Sequence, residues 1–392
     1  MLDFEFCSPT RFVVGRGAER KLGALVRANG GSKALLHFGG GSIRRNGIYD
    51  KVVASLAASG VDFVPLGGVR PNPRSGLVRE GIALCRREGV DFVLAVGGGS
   101  VIDSAKAIAF GTVCDGDFAD RYVGKEAKTM PPIPAALPIG TVLTIAAAGS
   151  EGSGNSVITF EETGRKLGCR GECLRPRFSI MNPEFTYSLP VYQIACGAVD
   201  MFAHVVERYF TPTRDVAVSD GLCEGLMRAI AAAGLRAVAA PGDYAGRADL
   251  VWAGTLAHND VCGVGRAQDW ASHGIEHELS AMYDVAHGAG LAVVMPAWMD
   301  YVKNADIDRF ARFAARVWDV PPGDPAAMAD EGIARFRDWI RRLGMPATLD
   351  GLGADPKDIP QLAANLRLGG GTLGSFMPLT EADVVRILES AV

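Results

Sequence analysis

The sequence predicts a protein of two domains, in which an N-terminal Rossmann-like α/β domain built on a parallel sheet precedes a C-terminal all-helical domain. Short apolar runs alternate with amphipathic helical stretches over the first half of the chain. Segments of helical length and periodicity dominate the second half. With 392 residues, 48% of them hydrophobic, the chain is long enough to build two cores.

The N-terminal domain is predicted from strands and helices that follow one another in turn. Strands are expected at Lys33 to Phe38, Asp62 to Leu66, Asp91 to Val96 and Pro134 to Ile139. Helices are expected between them at Gly47 to Ser59, Ser75 to Glu88 and Val101 to Phe110. This alternation predicts a parallel sheet with helices on both faces. The irregular stretch from Thr141 to Arg177 is expected to add a strand or hairpin at Ser156 to Phe160.

The second domain is predicted from four long periodic segments. They are Ala198 to Tyr209, Val218 to Val238, Ala245 to Ala257 and His287 to Val302. Pro190 marks the boundary, because proline ends the preceding element and suits the first turn of a helix. The two domains are therefore expected at residues 1–189 and 190–392.

Composition and charge exclude several classes of function. A formal net charge of −4 provides no positive field for a nucleic-acid backbone or an anionic membrane surface. The longest apolar run, Leu137 to Gly149, is interrupted by polar residues and is shorter than the ~20 residues that cross a bilayer. The N-terminus has early acids and no basic region ahead of an apolar stretch. We therefore expect no secretory signal and a cytoplasmic protein.

The eight cysteines include no CxxC pair, and most are expected to be reduced thiols in the core. Only Cys169 and Cys173 lie close together in the sequence. They fit either core thiols or one half of a structural metal site, although a second pair of ligands is not found near them.

Two glycine loops follow predicted strands. Lys33 to Phe38 runs into Gly39-Gly40-Gly41-Ser42, and Asp91 to Val96 runs into Gly97-Gly98-Gly99-Ser100. Glycines at the carboxyl end of a parallel strand let the backbone approach a phosphate, and the following helix directs free N–H groups at that anion. The repeated pattern favours phosphate binding over two simple turns, although neither loop matches GxGxxG.

The second loop continues with three side chains that have alternative explanations. Ser100 is expected to cap the helix, and Asp103 falls in a capping position. Lys106 fits either a functional lysine or a solvated surface residue.

The first loop bears on the choice of cofactor. An enzyme that prefers NAD(H) places a carboxylate near the ribose hydroxyls. Here Ser42 is followed by Arg44 and Arg45, with no acid. The sequence therefore favours NADP(H) over NAD(H).

Histidines and one acid predict a metal site. Asp200 and His204 are four residues apart on a predicted helix, which puts both on one face. Three of the six histidines, His273, His277 and His287, fall within fifteen residues. A helical Asp–His hydrogen bond would explain the first pair alone, but the two clusters together favour a metal.

Zinc protease chemistry is disfavoured. The HExxH motif requires glutamate directly after the first histidine. Gly274 stands there after His273, and Ala281 stands where the partner of His277 would be needed.

At these residues the sequence resembles the iron-containing alcohol dehydrogenases, and most closely their NADPH-dependent butanol dehydrogenase and aldehyde reductase branch. The resemblance extends over nearly the whole chain. Its motifs are Pro9-Thr10-Arg11, Gly15 to Ala18, Gly67 to Pro73, Ala95 to Asp103, Thr144 to Glu151, Asp200 to His204, Gln268 to His273 and Ala286-His287-Gly288. Ala146-Ala147-Ala148 departs from the family, where small hydroxyl residues are common.

The resemblance implies a dehydroquinate synthase-like arrangement of a dinucleotide-binding α/β domain and a helical metal-binding domain. By matching position, the implied metal ligands are Asp200, His204, His273 and His287, which leaves His277 near the substrate as a catalytic residue. The implied cofactor contacts are Gly40, Gly41, Ser42, Asn72, Gly98, Gly99, Ser100, Thr141, Thr144, Asn155 and Lys166. The expected metal is Fe²⁺ or Zn²⁺, and the expected assembly is a homo-oligomer, a dimer.

The implied reaction interconverts an alcohol and an aldehyde, with aldehyde reduction as the expected direction. The metal would act as a Lewis acid on the substrate oxygen, nicotinamide would carry the hydride, and His277 would relay a proton. Two alternatives remain: a metal-dependent lyase or cyclase on the same scaffold, and a non-catalytic nucleotide- or metal-binding module. The lack of Lys and Arg between Gln268 and His287 argues against the first, which needs a polyanionic substrate.

Overall fold

The chain divides into two compact units. The structure, a computed structural model, describes residues 1–124 and 129–392. One unit comprises Cys7–Leu189, and the other comprises Pro190–Val392 together with Met1–Phe6. Among the described residues, no helix is both long and apolar enough to cross a membrane.

The first unit is an α/β sandwich built on a parallel sheet. Its strands are β1 (Arg11–Val14), β2 (Lys33–Phe38), β3 (Asp62–Leu66), β4 (Phe92–Gly97), β5 (Ile139–Leu143), β6 (Asn155–Phe160), β7 (Arg165–Arg170) and β8 (Phe178–Met181). Its helices are α1 (Leu22–Ala28), α2 (Ser42–Arg45), α3 (Ile48–Ala58), α4 (Ser75–Glu88) and α5 (Gly99–Val113). Six strands form one sheet in the order β1-β8-β5-β4-β2-β3, and β6 and β7 form a separate antiparallel hairpin.

Helices cover both faces of this sheet, as the sequence predicts. Successive side chains of a strand point to opposite faces. Leu36 and Phe38 of β2 therefore join one core cluster with residues of α1 and α3. The side chain of His37 points to the other face, where its Nε2 lies 2.9 Å from Ser104 Oγ of α5. Burial lowers the pKa of His37 to about 4, so this histidine stays neutral.

The strand order contains a topological switch point. From β2 the chain passes to β3 on one side, and from β4 it passes to β5 on the other side, while β2 and β4 are direct neighbours. In open α/β sheets, ligands bind in the crevice outside the carboxyl ends of the strands at this point. Both glycine loops follow these two strands.

The prediction of a strand at Pro134 to Ile139 is wrong. The strand is β5, which begins at Ile139 and pairs with β4 on one side and β8 on the other. A central strand needs every backbone N–H for its ladders, and Pro134 and Pro138 have none. The preceding prolines therefore belong to the connection and not to the sheet.

Smaller differences concern the ends of elements. The strand expected from Asp91 begins at Phe92, and the Asp91 carboxylate accepts hydrogen bonds from the backbone N–H groups of Ser32 and Lys33. The helix expected at Val101 begins at Gly99 and ends at Val113. The strand expected at Ser156 to Phe160 is present as β6.

The second unit is helical throughout residues 190–392, all of which the structure describes. Its helices are α6 (Val191–Tyr209), α7 (Ala217–Ala239), α8 (Tyr244–His258), α9 (Ala271–Tyr283), α10 (His287–Val302), α11 (Ile307–Trp318), α12 (Pro325–Arg342), α13 (Leu349–Leu352), α14 (Ile359–Asn365) and α15 (Glu381–Glu389). α6 begins directly after Pro190 and is buried on every side from Ile194 to Tyr209. A helix buried all round forms the centre of a helical domain.

Candidate metal centre and dinucleotide loops

The two glycine loops lie side by side at the carboxyl edge of the sheet. Gly39 accepts a hydrogen bond at its carbonyl from Gly68 N at 2.9 Å, which joins the loop after β2 to the loop after β3. Gly97 accepts one from Thr144 N at 3.1 Å, which joins the end of β4 to the residue after β5. The backbone at this edge is therefore held in a defined arrangement.

The glycines of these loops have two different roles. A Cβ at Gly97 would lie 2.4 Å from Val101 Cγ2, and one at Gly98 would lie 2.9 Å from Ile145 Cβ, so internal packing requires these two. At Gly40 and Gly99 a Cβ would meet no atom within 4 Å. These two glycines instead leave open space above the loops, which suits a ligand that must approach the backbone.

The start of α5 fits an anionic group. The helix follows Gly98, and no side chain among the described residues caps it. The prediction that Ser100 caps this helix is therefore wrong, because the helix begins at Gly99 and Ser100 already lies in its first turn. Uncapped N–H groups and the helix dipole favour a phosphate at this end.

The first loop carries exposed cationic side chains. Gly40, Gly41 and Ser42 are exposed, and the short helix α2 starts at Ser42. The Arg44 guanidinium lies 3.8 Å from the centre of the Tyr49 ring, which holds it by a cation–π contact. A Cβ at Gly41 would lie 2.9 Å from Arg45 Nη1, so the Arg45 side chain folds back over the loop.

The remaining residues implied as cofactor contacts are not all at this edge. Asn72, which is buried with a left-handed φ of 53°, and Thr144 lie in the loops after β3 and β5. Thr141 lies inside the sheet, fully buried, and its Oγ1 donates to Ser179 Oγ at 2.7 Å. Asn155 and Lys166, both half-buried, belong to the β6–β7 hairpin.

Asp103 and Lys106 are neither a helix cap nor a surface charge, since Lys106 is fully buried and Asp103 is half-buried. Asp103 accepts hydrogen bonds from Ser150 Oγ and from Val157 N, the second at 2.9 Å. Lys106 Nζ donates to the carbonyls of Ser150 and Asn155, both at 2.7 Å. The capping position expected for Asp103 and the solvated position considered for Lys106 are therefore wrong. Both side chains connect α5 to residues 150–157.

In the helical unit, the four residues implied as metal ligands converge. One donor atom from each of Asp200, His204, His273 and His287 lies within 4.8 Å of the others. The Asp200 Oδ1 atom is 3.4 Å from His204 Nε2 and 3.8 Å from His287 Nε2. Three imidazole nitrogens and one carboxylate oxygen form a donor set that accepts Fe²⁺ or Zn²⁺.

Three helices bring these donors together. Asp200 and His204 lie one turn apart on α6, His273 lies in the first turn of α9, and His287 opens α10. Gly288 allows α10 to reach α6, because a Cβ there would lie 2.0 Å from the carbonyl oxygen of Cys196. The glycine of the Ala286-His287-Gly288 motif is therefore required by this close approach.

The environment keeps the histidines suited to bind a cation. Burial lowers the pKa of His204, an effect that the hydrogen bond with Asp200 partly offsets, so the neutral form is favoured. His273 Nδ1 lies 2.8 Å from Glu207 Oε1, and His287 Nδ1 contacts Glu276 Oε2. A carboxylate at Nδ1 leaves Nε2 of each ring for a metal.

His277 lies beside this cluster and not within it. Its ring centre is 5.5 Å from that of His287, and the side chain is half-buried. It joins a second possible donor group with Glu276 and His287, which shares His287 with the first. Among the described residues, neither Cys169 nor Cys173 belongs to a group of three or more possible ligands.

Three residues of this centre are not among those predicted from the sequence. Glu207 and Glu276 each follow a proposed ligand histidine by three residues on the same helix, a spacing that puts them on one face and that was available in the sequence. His258 had no such signal. Its ring centre lies 4.3 Å from that of His204, and its Nδ1 lies 3.1 Å from Arg208 Nη2.

The chain is similar to known proteins over its full length. It is 39% identical over 395 residues to NADH-dependent butanol dehydrogenase A of Clostridium acetobutylicum, covering 100% of both chains. It is 35% identical over 396 residues to the NADPH-dependent aldehyde reductase YqhD of Escherichia coli, again covering 100% of both. The crystal structure of NADH-dependent butanol dehydrogenase A from Thermotoga maritima superposes with a TM-score of 0.94 at 40% identity, covering 100% of this chain and 99% of that one.

Two protein-family models also match the chain. The family described as "Iron-containing alcohol dehydrogenase" matches residues 9–183. The model described as "Fe-containing alcohol dehydrogenase family, C-terminal" matches residues 194–392. The chain belongs to the iron-containing alcohol dehydrogenase family.

Proposed function

We propose that this protein is an NADP(H)-dependent enzyme that reduces small aldehydes to alcohols. Family membership makes it a metal-dependent alcohol dehydrogenase or aldehyde reductase. The observation that carries the proposal is the convergence of one carboxylate and three imidazoles within 4.8 Å in the helical unit. In this proposal residues 1–189 bind the dinucleotide, residues 190–392 bind the metal, and the cytoplasmic protein assembles as a dimer.

The proposed metal ligands are Asp200, His204, His273 and His287. When bound, the metal supplies a Lewis acid for the substrate oxygen, and the nicotinamide supplies the hydride. The four side chains would hold the cation, and three of them, Asp200, His204 and His273, are buried. The donor set accepts both Fe²⁺ and Zn²⁺.

His277 is the proposed proton donor. It is half-buried next to His287 and its side chain is not needed to complete the set of four donors. Aldehyde reduction requires one proton for the new hydroxyl group, and histidine exchanges protons near neutral pH.

Replacing His277 with alanine should lower kcat about 100-fold or more, the usual contribution of a general acid, while metal content stays at the wild-type level. Steady-state kinetics and elemental analysis of the same preparation measure both quantities. Loss of metal in this variant would instead make His277 a ligand. Unchanged turnover would remove it from proton transfer.

Most of the proposed cofactor contacts belong to the loops that follow β2, β3, β4 and β5. Gly40, Gly41 and Ser42 would bind the adenosine ribose, with Asn72 nearby. Gly98, Gly99 and Ser100 would bind the pyrophosphate at the start of α5. Thr144, Asn155 and Lys166 would contact the rest of the dinucleotide. The buried Thr141 would act by holding β5 against β8.

Relatives differ in cofactor, so the preference for NADP(H) rests on the first loop of this chain. Arg44 and Arg45 are exposed beside Ser42, and the segment from Gly39 to Asn46 has no acid that would repel a 2′-phosphate. Guanidinium groups bind phosphate through charge-assisted hydrogen bonds.

The double variant Arg44→Ala/Arg45→Ala should lose about 10- to 100-fold in kcat/KM for NADPH, the equivalent of one or two hydrogen bonds to a charged group, and little for NADH. Kinetics with both cofactors measure the ratio. Arg87→Ala, an exposed arginine on α4, is the control and should leave the ratio unchanged. Equal losses with both cofactors, or a wild-type preference for NADH, would contradict the assignment.

The decisive test of function is oxidation of NADPH and NADH with a panel of short and medium aldehydes, with and without added Fe²⁺ or Zn²⁺. Metal-dependent oxidation is expected. A lyase or cyclase would convert a polyanionic substrate without net cofactor oxidation. A binding module would bind NADPH tightly and oxidise none of it.

A further inference from the structure

Two buried carboxylates stand behind the proposed metal ligands in a repeating pattern. Glu207 follows His204 by three residues, and Glu276 follows His273 by three residues. Each carboxylate contacts the next proposed ligand along the chain. Glu207 binds His273, and Glu276 binds His287.

We propose that Glu207 and Glu276 are positioning residues that fix the proton of His273 and of His287 on Nδ1, and so present Nε2 to the metal. The inference rests on the proposed metal site and concerns residues outside its four ligands. We refer to Glu207 and Glu276 as the orienting carboxylates.

The orientation of Glu207 is itself fixed. Its side chain has no exposed surface, and Oε2 accepts a hydrogen bond from Trp270 N at 2.7 Å. Oε1 accepts from His273 N at 3.0 Å and lies 2.8 Å from His273 Nδ1. Because an ionised carboxylate only accepts hydrogen bonds, the ring nitrogen in this contact must carry a proton. Nε2 of His273 therefore keeps its lone pair.

Glu207 also holds the backbone that begins α9. Trp270 has a left-handed φ of 69°, which is costly for a bulky residue and needs support from its surroundings. The backbone N–H groups of Trp270 and His273 both point at the Glu207 carboxylate, at the positive end of the α9 dipole. One side chain on α6 thus fixes both the start of α9 and the ring of the ligand in its first turn.

Glu276 of α9 positions His287 of α10 in the same way. It has no exposed surface, Oε2 contacts His287 Nδ1, and Oε1 accepts a hydrogen bond from Ser280 Oγ. Gly290 makes room for it, because a Cβ there would lie 2.7 Å from Glu276 Cγ. The orienting carboxylates therefore connect α6 to α9 and α9 to α10 at the rings that converge on Asp200.

A carboxylate behind a ligating histidine raises the basicity of the other ring nitrogen, and loss of such a partner typically weakens metal binding by about 10- to 100-fold. Glu207→Gln and Glu276→Gln keep side-chain size but replace a negative acceptor by an amide with only one acceptor oxygen. Glu331→Gln, a partly exposed glutamate that pairs with Arg335 at 2.7 Å, is the control for loss of one carboxylate.

The test combines two measurements. Zn²⁺ affinity is measured by competition with a chelator, and the ring protonation of each histidine is measured by ¹⁵N NMR of the metal-free protein. We expect Nδ1–H on His273 and His287 in the wild type. Glu207→Gln should change only the His273 signal, Glu276→Gln only the His287 signal, and each should weaken Zn²⁺ binding about 10- to 100-fold. The control should match the wild type.

Either of two results would overturn the inference. The first is Zn²⁺ affinity equal to that of the wild type in both variants. The second is weaker binding with unchanged ring signals, which would make the two glutamates structural supports only. If the wild type binds no metal, the proposed function fails, whereas the NMR of the metal-free protein still decides which ring nitrogen of His273 and of His287 carries the proton. If Glu207→Gln disrupts the start of α9, Glu276→Gln still tests the proposal.

Discussion

Replacing Asp200 with alanine should yield a folded protein that contains almost no metal and lacks measurable turnover. Asp200 supplies the single carboxylate among the four proposed donors, and its Oδ1 lies within 3.8 Å of Nε2 in both His204 and His287. Its removal takes away one donor and the negative charge that offsets the cation. Because Lewis-acid activation contributes several kcal/mol to the barrier, turnover should fall about 1,000-fold or more.

Elemental analysis and aldehyde-dependent NADPH oxidation measure the two effects on the same preparation. His287→Ala should give the same result, since it removes the donor at the start of α10. Asp319→Ala is the matched control, because that carboxylate belongs to the same helical unit but is 73% exposed and pairs with Arg228. Metal retained at full occupancy in Asp200→Ala or His287→Ala would contradict the ligand set.

Much of the fold can be predicted from the local pattern of apolar and polar residues in the sequence. A mainly apolar run such as Lys33 to Phe38 predicts a buried parallel strand, because both faces of such a strand are covered by helices. The strand at Ile139 could not be located from hydrophobicity, since the apolar residues before it alternate with prolines. The pairing of β1 with β8, which joins Arg11 to Phe178, has no local signal at all. Such contacts depend on the whole topology.

The residues of the candidate site likewise fall into two groups, those that can be recognised in the sequence and those that cannot. Residues that could bind a ligand directly have a recognisable chemistry and spacing, so the histidine clusters and the glycine loops are visible in the sequence. Residues that act through others, such as Glu207 and Glu276, resemble ordinary charged positions on a helix. Their function depends on contacts between α6, α9 and α10, which only the structure provides.

Lys106 is the clearest case of a residue whose environment the sequence could not reveal. It has no exposed surface, although lysine is almost never fully buried. Burial lowers its pKa to about 8, against the opposing effect of Asp103 and Glu151. Its Nζ donates to two carbonyls and to Ser150 Oγ, the last at 3.0 Å.

Lys106→Met should therefore lower the free energy of unfolding by about 2–6 kcal/mol, because two carbonyls lose their charged donor at a cost of about 1–3 kcal/mol each. Methionine fills a similar volume, so a cavity is not the cause. The loss comes from two carbonyls without their donor and from the Asp103 carboxylate without the electrostatic effect of Lys106. Urea unfolding monitored by circular dichroism measures the change.

Two comparisons separate this explanation from a general effect of losing a lysine. Lys33→Met removes a half-exposed lysine that pairs with Glu88 at 3.2 Å and should cost less than about 1 kcal/mol. Lys106→Met/Asp103→Asn removes both charges and should be more stable than Lys106→Met alone. A double variant less stable than the single one would show that the Asp103 charge is not the source of the loss.

The pH dependence gives an independent check of the buried lysine. Its pKa in the folded protein is about 8, below the ordinary 10.5, so between these values the unfolded chain binds more protons than the folded protein. Stability contributed by this group therefore rises with pH across that window. The difference in unfolding free energy between the wild type and Lys106→Met should grow from pH 8 to pH 10. A difference that shrinks over this range would mean that the contacts of the ammonium group outweigh its desolvation, so that the pKa of Lys106 is raised and not lowered.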